Sequence, residues 1–503
     1  MSQAAYKLSI NLNDIADSNR IKANSNLNEK LRGQLGQFMS SPAVSMLLAD
    51  MFENLDGENK ILDAGAGAGS LTAALVERLK NESKSIDSTC FEISDEMIPY
   101  LTDTLSKCLE ACSSDGVKWN SEVIETSFID HSVNLLLNPD FKPKYNKAIL
   151  NPPYLKISAK GPERAALKKV GFETGNLYSA FVGLAIMLLE DKGELVAITP
   201  RSFCNGPYFN DFRKLLLDNC SINKIHVFNS RNSAFKTDKV LQENVVFHLT
   251  KGEKQRDKVI VASSNCAEDP SPYIFEVPFN KVVSNSNPDR FIHIITNNEE
   301  QYIATKAGGL PCSLGDLGIQ VSTGKVVDFR TKENLRPDFI AGSVPLIFPQ
   351  HLKCGSVTWP IENAKKPNAI LNNDETANLM VAKRTYVLTR RLTAKEEKRR
   401  IVASIYTADV ADVGVVGFDN KTNYFHALGK PLDDKLAKGL WAFLNSTIVD
   451  KYFRQMNGNT QVNATDLRTL RYPTKEHLIS IGEALTFEGF DQDKIDNVLD
   501  NFI

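Results

Sequence analysis

The sequence predicts a doubly wound α/β fold with a mostly parallel sheet, followed by a second, strand-rich region. Three observations carry that prediction. Up to Thr250, short apolar runs alternate with helical patterns, the signature of strand–helix–strand crossovers. One early run breaks into glycines, Lys60-Ile-Leu-Asp63-Ala64-Gly65-Ala-Gly67-Ala-Gly69, and reopens as a helix near Ser70. A later run, Ala148 to Leu150, is stopped at once by Asn151, Pro152, Pro153 and Tyr154, because proline donates no ladder hydrogen bond and holds an extended backbone. Ligands of open α/β sheets bind beyond the carboxyl ends of strands, so both breaks fall where chemistry is expected.

A chain of 503 residues exceeds one ordinary core and implies about two to four domains. Hydrophobic residues at 42% and charged residues at 24% place it among globular proteins. No apolar run reaches the roughly 18 residues that span a bilayer, and the N-terminus lacks a basic-then-apolar signal, so a soluble cytoplasmic protein is expected. The eight cysteines are scattered without His partners, which reads as reduced packing thiols and no metal site. A formal net charge of −2 argues against indiscriminate coating of nucleic acid but leaves room for a local basic face.

In chain order, residues 1 to about 33 are polar and Asn-rich, with weak helical patterning near Asn26 to Leu31, and read as an arm or partner-contacting segment. Ser41 and Pro42 form an N-cap and first-turn proline for a helix carrying Val44, Leu47, Leu48, Met51 and Phe52. The glycines after the first strand let a backbone pass close to a nucleotide-like ligand. They match neither a dinucleotide fingerprint nor a phosphate loop, and the acid ahead of them, Asp63, points to a cationic, sulfonium-bearing cofactor. A second strand, Ile86 to Phe91, ends in Glu92, whose carboxylate suits both hydroxyls of a ribose. After a helix through Cys112 and a strand from Val117 to Val123, Phe128 reads equally as a flank for the cofactor's adenine or as core.

Strand four delivers Asn151 to Tyr154: a planar amide, proline-rigidified carbonyls and an aromatic face, suited to a flat heterocycle bearing an amino group. A helix from Asn176 to Glu190, ended by Gly193, leads to the strand Glu194 to Thr199. Then come a helix from Tyr208 to Asn219, a strand from Ile222 to Phe228 and a last strand from Asn244 to Thr250. Lys251 to Pro288 is polar and irregular, like an interdomain connection.

Beyond it, Ser343 to Phe348 and Arg384 to Leu388 read as strands. Eight basic residues crowd one stretch (Lys383, Arg384, Arg390, Arg391, Lys395, Lys398, Arg399, Arg400), which nominates a phosphate-contacting stripe. A helix from Lys435 to Arg454 precedes an amide-rich loop, Gln455 to Leu467, that includes Asn459 and Gln461 and reads as a polar groove or a well-bonded loop. The divisions expected are an arm over 1–33, a catalytic domain over 34–290 and a C-terminal domain over 291–503.

The glycine run, Glu92 and the Asn151 motif, in that order, resemble the amino-group DNA methyltransferases that use S-adenosylmethionine. With Gly36-Gln-Phe-Met ahead of them and a long region behind, the arrangement is similar to the gamma class of type II adenine-N6 modification enzymes; Asn423-Tyr-Phe-His-Ala and Gln461-Val-Asn-Ala-Thr-Asp-Leu look like that family's recognition half. The resemblance implies a Rossmann-like methyltransferase domain with a C-terminal mixed α+β target-recognition domain, S-adenosylmethionine as cofactor without a metal, and double-stranded DNA as partner. It implies a monomer acting on DNA, sharing its site with a cognate restriction endonuclease that need not bind it.

Carried over residue by residue, Asp63, Ala64, Gly65 and Gly67 line the methionine end of the cofactor, with Ser40 as a further contact. Glu92 takes the ribose and Phe128 the adenine. Asn151 and the Pro152 carbonyl accept from the target amino group, Pro153 and Tyr154 face the flipped base, and Phe235 matches a second base-packing aromatic. Arg390, Arg391, Asn459 and Gln461 are DNA-contact candidates. Two departures stand out: Ser127 replaces an acid, and Ser40-Ser41-Pro42 moves the usual Thr-Pro by one position. Competing expectations are methylation of a cytosine N4, an RNA adenine or a protein glutamine, or a DNA-binding specificity subunit with a degenerate methyltransferase domain.

Overall fold

The computed structural model describes residues 11–26, 39–229, 243–283, 289–353, 355–394, 396–428, 430–458, 460–485 and 490–503. Phe235 and Asn459, both site candidates, lie outside the described residues, as does most of the stretch Asn26 to Leu31. The chain divides into two compact units, Met1–Thr296 and Asn297–Ile503.

The first unit is built on a nine-stranded sheet of order β3-β2-β1-β4-β5-β7-β6-β8-β9. Its strands are β1 (Gly57–Ala64), β2 (Ser83–Phe91), β3 (Lys118–Ile124), β4 (Tyr145–Leu150), β5 (Leu189–Pro200), β6 (Cys220–Phe228), β7 (Asn244–Lys251), β8 (Lys258–Ser264) and β9 (Tyr273–Pro278). The first five are parallel, and β7 runs antiparallel to both β5 and β6. Strand order reverses between β1 and β4, with Ile61 opposite Lys147 and Asp63 opposite Ile149. That switch point opens a crevice at the carboxyl ends of both strands, and the glycine turn and Asn151 emerge there side by side.

Helices cover the sheet: α1 (Leu12–Asn26), α2 (Pro42–Asp50), α3 (Ser70–Leu79), α4 (Ile98–Ser114), α5 (Phe128–Leu136), α6 (Pro162–Lys169), α7 (Leu177–Leu188) and α8 (Asn210–Asn219). Ser41 caps α2 by accepting the Val44 N–H at 3.4 Å, with Pro42 in the first turn. This helix buries Val44 and Leu48 completely in a cluster with Leu75, Val76 and Leu79 of α3. Truncating Leu48 to Ala costs about 2–5 kcal/mol by the lost transfer and the cavity left behind.

Several expectations change. The segment read as an arm contains α1, which places Leu12 and Ala16 in the same core and donates from Asn19 Nδ2 to Thr104 Oγ1 (3.0 Å) and Asp103 Oδ2 (2.8 Å). Its polar composition hid a helix whose polar side chains are used internally. Gly193 does not end α7: the helix stops at Leu188, the chain is already extended at Leu189, and the left-handed residue is Lys192 (φ 67°). Nor is the strand at Asn244 the last, because β8 and β9 extend the sheet from within the stretch read as a linker. The two strands are short, β9 leaves Tyr273 and Ile274 exposed at the sheet edge, and the polar turns around them gave the segment its irregular texture.

The second unit holds two sheets. In one, β10 (Gln320–Thr323), β18 (Thr422–His426), β15 (Tyr386–Arg390) and β16 (Ala403–Tyr406) lie in that order. In the other the order is β11 (Leu335–Arg336), β13 (Ala369–Leu371), β12 (Ser343–Ile347), β17 (Val415–Phe418) and β14 (Met380–Ala382). The helix expected from Lys435 to Arg454 is two helices, α9 (Asp434–Leu444) and α10 (Thr447–Met456), divided where Ser446 caps the second by accepting the Val449 N–H.

The division also revises the basic stripe. Arg400 is fully buried and Arg399 nearly so. Arg399 donates to the Asn445 carbonyl at the α9–α10 junction, and Arg400 donates to the Asn457 carbonyl at 3.1 Å while its guanidinium stacks on Phe453. These two arginines are buried internal struts rather than part of an exposed basic face.

Candidate functional site

A cavity of about 360 Å³ opens at the switch point, within the range of small-molecule sites. The glycine turn forms one wall. Gly65 and Gly67 have φ of 81° and 55°, a left-handed backbone that L-residues avoid. A Cβ at Gly65 would meet Phe181 at 3.7 Å and one at Gly67 would meet Met39 at 3.8 Å, ordinary contact distances, so it is the left-handed backbone and not crowding that calls for glycine here.

Glu92 stands at the end of β2 beside this turn. Its Oε2 accepts the Gly67 N–H at 2.8 Å, and Oε1 accepts from Ile93 and Ser94 at 2.9 Å each. One carboxylate thus ties the glycine turn to the loop after β2. Burial raises its pKa, and the three N–H donors oppose that rise. Phe128 begins α5 and meets Phe91 edge-on at 5.0 Å and Phe181 at 5.1 Å, making an aromatic wall opposite the carboxylate. Ser127 also lines the cavity, and its hydroxyl caps α5 by accepting the Asp130 N–H at 3.3 Å.

Asn151 stands on the far side, just past β4. Its Nδ2 donates to Ser40 Oγ at 3.0 Å, and its Oδ1 accepts from the Tyr154 hydroxyl at 3.3 Å. Tyr154 also reaches the Ile198 carbonyl of β5 at 3.3 Å, and burial pushes its phenol pKa up. Beyond it lie Tyr178, edge-on at 6.3 Å, and Phe209, stacked on Tyr178 at 5.7 Å.

Of the sequence candidates, Ser40, Gly65, Gly67, Glu92, Ser127, Phe128, Asn151 and Pro153 share the cavity wall. Asp63, Ala64, Pro152 and Tyr154 stand behind it. Asp63 is fully buried under the glycine turn, where Oδ2 accepts from Thr72 Oγ1 of α3 at 2.7 Å and Oδ1 has no partner among the described residues. Burial pushes its pKa up to about 7.

Leu177 and Phe181 also line the cavity and escaped the sequence reading. Their i, i+4 spacing on α7 marks a shared face, but an apolar pair on an apolar helix carries no sign of facing a cavity. Ile93, 66% exposed directly after Glu92, is a third.

In the second unit, Arg390 Nη2 donates to the Leu352 carbonyl at 2.8 Å, and Arg391 Nη1 to the Asn420 carbonyl at 3.1 Å. Leu392 bridges to Gln461, the Val462 N–H donates to the Arg391 carbonyl at 2.8 Å, and Asn423 Nδ2 donates to the Val462 carbonyl at 2.8 Å. Exposed Gln461 is therefore pinned beside the end of the basic strand.

The residues present suit a nucleoside-bearing cofactor: glycines where a backbone must approach closely, a carboxylate for paired hydroxyls and an aromatic wall for a base. Comparison with known proteins agrees. Residues 38–235 match the family model described as Eco57I restriction-modification methylase. The chain is 65% identical over 500 residues to the type II methyltransferase M.PstI of Providencia stuartii, covering 99% of both chains. It is 43% identical over 501 residues to the type II methyltransferase M.BsuBI of Bacillus subtilis, covering 97% of this chain and 98% of that one. In fold it is similar to the type IIL restriction-modification enzyme MmeI, solved in complex with DNA, at a TM-score of 0.51 and 12% identity over 94% of this chain and 68% of that one. With full-length identity at this level, the chain belongs to the type II methyltransferases of restriction-modification systems.

Proposed function

We propose that this methyltransferase acts on DNA, moving the methyl group of S-adenosylmethionine to N6 of a flipped adenine and so protecting its host's DNA from a cognate endonuclease. The observation that carries the reading is the Asn151 amide, held between Ser40 and Tyr154 at the rim of a glycine-walled cavity.

When bound, the cofactor would supply an electrophilic sulfonium methyl, on which an amine attacks in line as the carbon–sulfur bond breaks and the thioether leaves, the methylated nitrogen then losing a proton to solvent, without metal or covalent intermediate. The chain's residues prepare the amine. An adenine N6 lone pair is delocalised into the ring, and two acceptors aimed at its hydrogens, Asn151 Oδ1 and the Pro152 carbonyl, localise it and disperse the positive charge that develops. Glu92 takes the ribose hydroxyls, Phe128 packs on the cofactor's adenine, and Ser127 stands where an acid would meet its exocyclic amine. Asp63 and Ala64 act from behind, fixing the turn that Gly65 and Gly67 present. A base inside a duplex cannot reach such a site, so the nucleotide is flipped, with Tyr154, Pro153 and Phe235 replacing part of its lost stacking. In the second unit, Arg390, Arg391, Asn459 and Gln461 are assigned to DNA contact, and the chain works as a monomer.

Modification-sensitive sequencing of DNA from a host expressing the gene tests this reading. N6-methyladenine at one short motif is expected. N4-methylcytosine would transfer the assignment to the other exocyclic amine that the site fits, and unmodified DNA despite soluble protein would reject it.

A further inference from the structure

An asparagine amide has a donor end and an acceptor end of nearly the same shape, and the hydrogen-bond network decides which faces where. The proposed chemistry needs the acceptor end, Oδ1, turned toward the target amine. Tyr154 does not secure this by itself. Its hydroxyl lies 3.3 Å from the Ile198 carbonyl as well as 3.3 Å from Asn151 Oδ1. When it donates to Ile198, its oxygen accepts equally well from an amide turned the wrong way round.

We infer that Ser40 is the positioning residue that fixes the Asn151 amide, accepting from Nδ2 and thereby holding Oδ1 toward the target. The inference rests on the methyl-transfer reading above and gives Ser40 a task beyond direct cofactor contact. Ser40 Oγ is 3.0 Å from Asn151 Nδ2, is almost fully buried and lines the cavity. Accepting one hydrogen leaves the hydroxyl its own hydrogen to donate. Given to an acceptor in the cavity, such as a cofactor carboxylate, that hydrogen would leave Ser40 only lone pairs for Asn151, and the reversed amide would face no donor from Ser40.

Ser40 is also held firmly enough for the task. Ser41 caps α2 in its place, so the two serines divide the duties of capping and amide orientation, and the proline displaced by one position makes room for both. The other end of α2 is fixed by Glu194 of β5, whose Oε1 accepts the Glu53 and Asn54 N–H groups at 3.2 and 3.3 Å. Lys224 of β6 donates to the Met51 carbonyl at 3.0 Å. With its far end tied to the sheet, its first turn capped by Ser41 and Val44 and Leu48 buried in the core, α2 holds Ser40 beside Asn151.

The test compares wild type with Ser40→Ala and Ser40→Thr. It reads the single-turnover rate at saturating cofactor and DNA, calorimetric affinity for S-adenosylmethionine, and atomic-resolution crystal structures of all three cofactor-bound proteins. Ser40→Ala is expected to slow transfer about 10–100-fold at saturation, the effect of a misplaced reacting group, with the Asn151 amide rotated or in two orientations. Ser40→Thr, which keeps the hydroxyl, restores both. An alanine variant that regains the wild-type rate once cofactor is saturating would reduce Ser40 to a cofactor contact and overturn the inference. So would an unrotated amide in its structure. The crystal structures decide the role of Ser40 even if wild type transfers no methyl group, a result that would reject the methyl-transfer reading alone.

Discussion

Tyr154 donates its hydroxyl to Asn151 Oδ1 at 3.3 Å, so in the structure the proposed acceptor for the substrate is engaged by the ring next to it. The incoming amine has to displace that hydroxyl, which then keeps the Ile198 carbonyl as its partner. Tyr154→Phe removes the competing donor but preserves the ring, and it is expected to change the single-turnover rate less than tenfold. Tyr154→Ala removes the stacking face, with an expected loss of about 1–3 kcal/mol in binding of the flipped base. Fluorescence of a 2-aminopurine placed at the target position checks the second effect.

Glu92 accepts three backbone N–H groups around the cavity and carries the charge that suits ribose hydroxyls. Hydrogen bonds to a charged group are worth about 1.5–3 kcal/mol each, against 0.5–1.5 for neutral ones. Glu92→Gln keeps the shape and removes the charge. Calorimetry is expected to show cofactor affinity about 10–100-fold weaker, at 1.4 kcal/mol per tenfold, and thermal unfolding a loss of about 1–3 kcal/mol, because the amide NH2 must face one of the three backbone donors.

Asp63 links folding to pH. Its carboxyl ionises near 3.8 when exposed and near 7 when folded, because burial disfavours the charge. Between those values the folded chain holds a proton that the unfolded chain has released, so stability falls as pH rises through the window and stays low above it. The cost is on the order of 2–4 kcal/mol at neutral pH and above. Relative to wild type, Asp63→Asn is expected to gain that amount between pH 4 and pH 8, whatever constant offset its own packing adds. Urea unfolding across the range measures it, and a difference independent of pH would contradict the account.

Glu194 is buried near the amino end of β5, on the face that packs α2, with Lys147 Nζ at 3.3 Å and His248 Nε2 at 3.4 Å. Burial alone would raise its pKa, but His248, Lys147 and the Glu53 N–H outweigh it and hold the carboxyl below its ordinary value. Glu194→Ala strands Lys147 in an apolar surround and frees the end of α2, for an expected destabilisation of about 3–5 kcal/mol. Thermal unfolding reads that loss. Milder loss of activity at low temperature would follow from a loosened α2.

The two halves of the basic stretch separate in the same kind of experiment. Arg400→Ala is expected to destabilise by about 3 kcal/mol or more, as loss of a buried, fully bonded cation does. Arg391→Ala is expected to leave stability nearly intact, weaken DNA binding across sequences and lower the salt dependence by about one phosphate contact. Unchanged salt dependence would remove Arg391 from the DNA contacts.

The edge of the sheet that lines the cavity was legible because its residues break local rules. Glycines end a strand at Gly65, two prolines end another at Pro152, and an acid closes a third at Glu92; each departs from what packing alone would choose. Features that obey local rules stayed hidden. Leu177 and Phe181 look like any helix interior, and α1 looks like a polar tail until Asn19 finds Thr104 across the fold. Charge density misled for a related reason: Arg399 and Arg400 read as solvent-facing because the carbonyls that bury them, at Asn445 and Asn457, are distant in sequence.

The most direct test of the central claim is a single-turnover methyl-transfer assay with duplex DNA bearing the chain's own site, comparing wild type with Asn151→Ala at saturating cofactor and analysing the nucleosides by mass spectrometry. The account predicts N6-methyladenine from wild type. It predicts nearly abolished transfer from the variant, with cofactor affinity largely intact. A variant that transfers at the wild-type rate would contradict it.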